Sequence, residues 1–154
     1  MAALSDYLES GLLHHILGDE TFAKPSTISI ALTSTAPVDS DTGASIPEIP
    51  SGINGSGTGY ARVDLGPPAS SGASAWDYLT ADSAVGSGVF KNASNILFTT
   101  ALLDWGWASG VAVVDHSTYG SGNLLFHGQL GNPRVIYAGD AMKFDLQTLK
   151  IQIK

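Results

Sequence analysis

The sequence contains no cysteine, which excludes a disulfide framework and any zinc site built on thiolates. Charged residues are also scarce, at 14% of 154 residues, and acids outnumber bases to give a formal net charge of −7. A chain of this charge repels nucleic acids and anionic membranes, so we expect neither as a partner. The apolar runs are short, and none approaches the roughly 20 residues that a membrane-spanning helix needs.

Glycine and proline, in contrast, are abundant, with 18 and 7 residues. Both interrupt regular elements, which favours many turns and short strands over long helices. Hydrophobic residues make up 44% of the chain, which is enough for one core but not for two. We therefore expect residues 1–154 to form a single domain.

The first segment predicts one helix, at about residues 5–17. Apolar side chains recur there every four residues: Leu4, Leu8, Leu12 and Ile16, with Leu13 and Leu17 widening the same stripe. Ser5 is a suitable N-cap, and Gly18 can end the helix in a left-handed conformation. The stripe predicts that one face of the helix packs on the core.

The apolar period changes from four to two at residue 27. In residues 27–33 apolar and small polar side chains alternate, which is typical of a strand with one buried face. Five later apolar runs predict further strands: 60–65, 95–99, 109–115, 124–130 and 140–154. The last run changes parity, which places a tight turn or bulge near Gln147 and Thr148. The pattern predicts a mainly β chain, an antiparallel β-sandwich or open barrel with one N-terminal α-helix.

Residues 34–59 are rich in proline, glycine, serine and aspartate, which predicts a long loop. Loops of this length are uncommon in compact domains and are often used for binding. Its prolines and isoleucines are therefore the candidate interface with other chains: Pro37, Ile46, Pro47, Ile49, Pro50 and Ile53. The alternative is that Ile46, Ile49 and Ile53 fold back on the chain's own sheet.

The sequence holds no convincing catalytic or cofactor site. Asp115, His116 and Ser117 have the residue types of a hydrolytic triad, but adjacent residues in a strand point to opposite faces. His14 and His15 lack the i, i+4 spacing of a paired metal site. We therefore expect no enzyme activity, no cofactor and no metal.

Two polar features have both a structural and a functional interpretation. Asp39 and Asp41, together with Glu48, lie in an acidic loop with some likeness to a calcium site, although Gly43 occupies the position where a third oxygen ligand is expected. A solvated acidic loop is favoured, and calcium binding is the alternative. His127 stands in an apolar run, where a neutral imidazole bonded to a backbone group is the common arrangement and a pH switch is the alternative.

Four large side chains are the candidate structural anchors: Tyr60, Arg62, Trp105 and Trp107. We expect Arg62 to bind a carboxylate or backbone carbonyls and so to hold the long loop against the sheet. Alternation along a strand would place both indoles on one side. Buried indoles would anchor the core, whereas exposed ones, including Trp76, would stack on the sugar rings of a carbohydrate.

Several short motifs follow one another in a fixed order along nearly the whole chain. They are Leu4-Ser5-Asp6-Tyr7-Leu8-Glu9, residues 26–33, Gly59-Tyr60-Ala61-Arg62, Asn95-Ile96-Leu97-Phe98, residues 122–130 and Val135-x-x-Ala138-Gly139-Asp140-x-x-x-Phe144. In this order they resemble a family of small virion proteins of tailed bacteriophages, usually labelled tail fibre, minor tail or structural proteins. The loop 37–57 and the stretch 76–86 depart from the family pattern.

The resemblance implies a non-enzymatic virion component that is made in the host cytoplasm. It also implies partners among other virion proteins and copies of the same chain, with a host glycan as a further partner to consider. A place in the tail or tail fibre is the leading interpretation, and capsid decoration is the second. A carbohydrate-binding β module is the alternative from a different class of function.

Overall fold

The computed structural model describes residues 2–50, 57–69, 71–77 and 89–152. Within them the chain forms one helix, α1 (Asp6–Leu17), and ten strands. The strands are β1 (Ala2–Leu4), β2 (Ile28–Thr33), β3 (Val63–Gly66), β4 (Trp76–Asp77), β5 (Val89–Asn92), β6 (Ile96–Leu97), β7 (Gly106–Val114), β8 (Leu124–Ile136), β9 (Lys143–Phe144) and β10 (Lys150–Gln152).

The strands form three antiparallel sheets. The largest has the order β1-β8-β7-β2-β3, the second has the order β10-β5-β4, and the third pairs β6 with β9. The main hydrophobic core lies between them and contains side chains from every sheet and from the helix: Leu8, Ile30, Phe98, Ile136 and Ile151 are among its members. The predicted fold class, mainly β and antiparallel with one N-terminal helix, is therefore confirmed.

The helix begins where the sequence predicts. The Ser5 hydroxyl accepts the Leu8 N–H at 3.3 Å as an N-cap and donates to the Leu124 carbonyl at the start of β8. At the other end the Gly18 N–H donates to the His14 carbonyl at 3.0 Å. Gly18 has φ −102°, so the predicted left-handed cap is wrong and the helix ends in an extended residue. No helix within the described residues is long and apolar enough to cross a membrane.

Only the first half of the apolar stripe packs on the core. Leu8 is buried and Leu12 is partly buried, whereas Ile16 is 71% exposed. The expectation that the whole stripe faces the core is therefore wrong. The helix starts against β8 and then leaves it, so the sheet offers packing surface only to its first turns.

Strand β2 is buried on both faces, although its alternating pattern predicts one. Ile30 and Leu32 point into the main core, and Ala31 belongs to a second buried cluster with Ile46 of the long loop. The loop covers the face that alternation assigns to solvent. Small residues on that face leave the room that this packing needs.

The predicted turn near Gln147 is confirmed. The Thr148 N–H donates to the Asp145 carbonyl at 3.1 Å, and Gln147 has φ +62°. Phe144 before the turn and Leu149 after it are both buried. The turn thus explains how two stretches of opposite parity can face the same core.

Replacing Gln147 by glycine should raise the free energy of unfolding by about 0.5 kcal/mol, because the relief of left-handed strain exceeds the entropy cost of a glycine together with the loss of the exposed hydrogen bond from Gln147 Nε2 to Asp77 Oδ2 at 3.0 Å. Urea denaturation measures this change. Gln129→Gly is the matched control, since Gln129 is also exposed but lies within β8. There glycine should lower the free energy of unfolding. Equal destabilisation by both substitutions would show that Gln147 is not strained.

Candidate functional site

The segment 34–50 lies against the chain's own sheet. The Ile49 N–H donates to the Leu32 carbonyl at 3.1 Å, which joins the segment to the end of β2. The Gly43 N–H donates to the Gly122 carbonyl at 2.9 Å, which joins it to the turn 115–123 between β7 and β8. This half of the predicted loop therefore has two attachment points on the fold.

The candidate interface residues are largely covered within the chain. Pro37, Ile46, Ile49 and Pro50 are buried, Pro47 is half-buried, and Ile53 lies outside the described residues. Ile46 and Ile49 take the alternative arrangement, in which they fold back on the chain's own sheet. These side chains do not form an exposed apolar surface in this conformation.

Arg62 lies at the centre of this loop contact. Its Nε is 3.0 Å from Glu48 Oε1, and its Nη2 donates to Glu48 Oε2 at 2.8 Å and to the Gly43 carbonyl at 2.7 Å. Its Nη1 donates to the carbonyls of His116 at 2.8 Å and Ser121 at 2.7 Å. All five N–H groups of the guanidinium are thereby bonded. One buried cation therefore joins the long loop, the strand region before β3 and the turn after β7.

Tyr60 completes the same cluster. Its hydroxyl donates to Glu48 Oε1 at 2.8 Å and accepts the Leu32 N–H at 3.0 Å. Its ring meets the Trp105 ring edge to face, with 5.1 Å between centroids. Burial raises the pKa of Tyr60 well above its usual value, and the Glu48 carboxylate raises it further.

This raised pKa predicts a loss of stability in alkali. The unfolded chain releases the Tyr60 proton near pH 10, whereas the folded chain retains it. The free energy of unfolding should therefore be unaffected below pH 10 and should fall above it, with a limiting slope of about 1.4 kcal/mol per pH unit for one tyrosine. Denaturation between pH 8 and about pH 12 measures this slope.

Tyr60→Phe should be less stable at neutral pH but should show a shallower alkaline decline. Tyr119→Phe is the graded comparison: burial also raises the pKa of Tyr119, but this side chain is only half-buried, so its replacement should reduce the alkaline decline by less than Tyr60→Phe does. An unchanged alkaline slope in Tyr60→Phe would contradict the assignment of this decline to Tyr60.

Glu48 is the member of the cluster that the sequence places with the acidic loop of Asp39 and Asp41 and does not connect to Arg62. Only 3% of its surface is exposed, and it lies in the apolar stretch Ile46-Pro47-Glu48-Ile49-Pro50. A carboxylate surrounded by apolar residues signals a buried ion pair, since an unpaired buried charge is strongly unfavourable. That signal was present in the sequence, but it does not say which of the seven basic residues is the partner.

Asp115 and His116 form hydrogen bonds with residues of the turn 115–123 and not the chain of hydrogen bonds that a triad with Ser117 would need. Asp115 Oδ1 and Oδ2 accept the backbone and side-chain N–H groups of Asn123, at 2.6 and 2.8 Å. His116 Nδ1 accepts the Thr118 N–H at 3.1 Å. The two side chains stabilise the turn that leads from β7 to β8.

His127 forms its contact with a carboxylate instead of the expected backbone group. Its Nε2 is 2.9 Å from Asp39 Oδ1, with the imidazole buried and the carboxylate exposed. Asp41 accepts the Val38 N–H at 2.9 Å and the Ser45 hydroxyl at 3.0 Å within the same loop. Among the residues described, no group of three His, Cys, Asp or Glu side chains could hold a metal ion.

The two neighbouring tryptophans have different environments. Trp105 is 3% exposed and its Nε1 donates to the Thr58 carbonyl at 2.9 Å, whereas Trp107 is 51% exposed. The expectation that both indoles share one side fails because Gly106 between them has φ +87°, which breaks the alternation of the strand. Trp105 is thus unavailable for sugar stacking, and Trp107 retains the exposure that such a role requires.

Two groups of exposed apolar side chains lie outside the core, one on the last turns of α1 and one around the start of β7. The proximal apolar surface consists of Leu13, Ile16 and Leu17 on α1. The distal apolar surface consists of Leu102, Leu103, Trp107 and Tyr137. The apolar period of α1 predicts a place in the core stripe for the first group, and nothing in the sequence singles out Leu102, Leu103 and Tyr137. No sequence signal distinguishes these exposed residues from buried ones.

In the described residues Glu48, Tyr60 and Arg62 bond to one another and to backbone groups of three segments, and the exposed apolar side chains lie outside this cluster. The family model described as Podophage GP4 fiber I protein gp80 matches residues 3–152. No curated protein matches the sequence. The family match confirms the resemblance to tail-fibre-type structural proteins of bacteriophages. Because the match covers nearly all of the 154 residues, the chain belongs to this podophage fibre protein family.

Proposed function

We propose that the chain is a non-enzymatic building block of the phage fibre, present in several copies per virion and bound to other virion proteins. The observation that carries this proposal is the fibre-family match, which extends from β1 to the end of β10. On this proposal the chain is made in the host cytoplasm and then incorporated into the virion as a single domain.

The bonding of the polar side chains supports a structural role. Glu48, Arg62 and Tyr60 are committed to one buried network that joins loops. Asp115 and His116 are committed to a turn. A general base or nucleophile must instead be accessible to a substrate and within hydrogen-bond reach of the atom that reacts.

Purified virions provide the test of location and copy number. Antibody against the chain should label the fibres in electron micrographs, and quantitative mass spectrometry should give more than one copy per particle. Labelling spread over the capsid would instead support the second candidate, a capsid decoration protein. Absence of the chain from purified virions would reject both.

A further inference from the structure

A cavity of about 280 Å³ lies between the two larger sheets. It is found at the end of the first sheet where β2 and β8 begin and β7 ends. Each of the two sheets contributes one wall. The described residues that line the cavity are Ile28, Val113, Leu125 and Phe126 of the first sheet and Trp76, Phe90 and Ile151 of the second.

The different lengths of the strands on its two sides account for the cavity. Strands β2, β7 and β8 have 6, 9 and 13 residues, whereas β4, β5 and β10 have 2, 4 and 3. The second sheet is therefore too small to cover the whole of the first. Val113, Leu125 and Ile151 are buried and form the inner part of the lining, while Phe90 is 43% exposed and marks the side that opens to solvent.

A bulge in β8 directs two consecutive side chains towards this space. Phe126 pairs with Val113 and Leu124 pairs with Val114, so Leu125 is an extra residue in the ladder. An extra residue breaks the alternation of the strand. Leu125 and Phe126 accordingly both contact the main core, whereas Leu124 belongs to the second buried cluster. Bulges that re-aim a side chain in this way are frequent beside functional sites.

The lining determines the chemistry of the molecule that the cavity can hold. The described lining residues have aliphatic or aromatic side chains, and among them Trp76 Nε1 is the only side-chain heteroatom. A charged or strongly polar group placed there would lose its hydration and gain few hydrogen bonds in return, which is unfavourable. A molecule that fits the cavity is therefore uncharged and carries few polar groups.

Volume and ring content narrow the class of ligand further. An engineered apolar cavity of about 150 Å³ binds benzene, so a cavity of about 280 Å³ has room for two fused rings. Trp76, Phe90 and Phe126 bring three aromatic rings to the lining. An aromatic ligand can meet such rings edge to face or in offset stacks, and it adds dispersion contacts to both walls.

We propose that the cavity between the sheets binds an uncharged aromatic molecule of the size of two fused rings, held between Phe126 on one wall and Trp76 and Phe90 on the other. The bound molecule contacts both sheets at once and so stabilises the folded chain against unfolding. The site shares no lining residue with the cluster around Arg62, and the inference does not depend on the proposed function in the fibre.

Methyl NMR of the full chain during a titration with naphthalene tests the proposal. Naphthalene should shift the methyl signals of Leu125 and Ile151 in a saturable manner. The methyl signals of Ile46 and Val114, which belong to the second buried cluster, should not shift. The temperature of unfolding should rise with the concentration of naphthalene. Absence of shifts up to the solubility of naphthalene, or equal shifts in both clusters, would overturn the proposal.

The matched ligand control is 2-naphthoate, which has the same two rings and one carboxylate. It should bind at least ~10-fold more weakly than naphthalene, because its carboxylate would have to leave water for an apolar lining. Equal affinity for the two molecules would overturn the assignment of the site to uncharged ligands.

Val113→Phe should fill the cavity from its buried side. Its affinity for naphthalene should fall at least ~10-fold, while its temperature of unfolding without naphthalene should not fall, because the added ring occupies existing space. Val38→Phe is the matched control, since Val38 is 60% exposed and lies outside the cavity, and it should bind naphthalene like the wild type. Wild-type affinity in Val113→Phe would overturn the proposal.

Ile28→Phe provides the same test if Val113→Phe does not fold. Ile28 is the first residue of β2 and is only partly buried, so a larger side chain there narrows the cavity without disturbing the middle of the sheet. Its affinity for naphthalene should also fall at least ~10-fold, and wild-type affinity would contradict the proposal. The labelling and copy count of virions are independent of these results, so either proposal can fail while the other stands.

Discussion

Replacing Arg62 by alanine should lower the free energy of unfolding by about 3–5 kcal/mol, the cost of leaving one member of a buried ion pair without its partner. Glu48 would remain a buried carboxylate bonded by Tyr60 alone among its present side-chain partners. The carbonyls of Gly43, His116 and Ser121 would each lose a donor. Urea denaturation followed by tryptophan fluorescence measures the change.

The free energy of unfolding of Arg62→Lys should lie between that of the wild type and that of Arg62→Ala. Lysine retains the positive charge, but its ammonium has three N–H groups where the guanidinium has five, and they do not form a planar fork. We expect a loss of about 2 kcal/mol, since hydrogen bonds to charged groups contribute about 1.5–3 kcal/mol each and lysine can keep only part of the set.

Arg134→Ala is the control for removal of an arginine as such. Arg134 is half exposed and lies 3.8 Å from Asp140, so its loss should cost less than about 1 kcal/mol. If Arg62→Ala lowered the free energy of unfolding no more than Arg134→Ala does, the stabilising role of Arg62 in the buried cluster would be contradicted. The double variant Arg62→Ala/Glu48→Gln should cost less than the sum of the two single changes, because the two groups interact directly.

The parts of the fold that local patterns determine could be predicted from the sequence. The capping hydroxyl of Ser5 and the first residues of α1 follow from helix chemistry. The turn at Gln147 follows from the change of parity in the surrounding apolar residues. Each depends only on residues within a few positions of one another.

The cluster around Arg62 could be predicted only in part. A buried arginine with a carboxylate and carbonyls as partners follows from the donor set of the guanidinium. The partners themselves come from residues 14 to 59 positions away, namely Glu48, Gly43, His116 and Ser121. No local pattern specifies which segments the sheet brings together.

The exposed apolar side chains could not be predicted, because the apolar periodicity of a helix does not indicate how far the sheet beneath that helix extends. The stripe on α1 continues through Leu17, but the sheet beneath it does not. Trp107 follows Trp105 at strand spacing, but the positive φ of Gly106 turns the two indoles to different environments. Both features depend on backbone geometry, which the residue types alone do not determine.

Gly43→Ala should lower the free energy of unfolding by about 3 kcal/mol, the upper part of the range for overpacking a tight contact. A Cβ at Gly43 would lie 2.7 Å from the Gly122 carbonyl oxygen and would also overlap the Ser121 carbonyl oxygen. Both are backbone atoms of a turn that Arg62 and Asp115 already fix, so the turn cannot yield without losing those bonds. The substitution should therefore detach the loop from the turn.

Gly131→Ala is the matched control, because no atom lies within 4 Å of a Cβ at Gly131 and its φ is not positive. This variant should stay within about 0.5 kcal/mol of the wild type. Limited proteolysis adds a local readout, since the buried Ile46 and Ile49 should protect residues 34–50 in the free wild type and in Gly131→Ala. Gly43→Ala should be cut there faster under native conditions. Equal stability and equal cleavage of the two glycine variants would show that the contact between loop and turn contributes nothing to holding the loop.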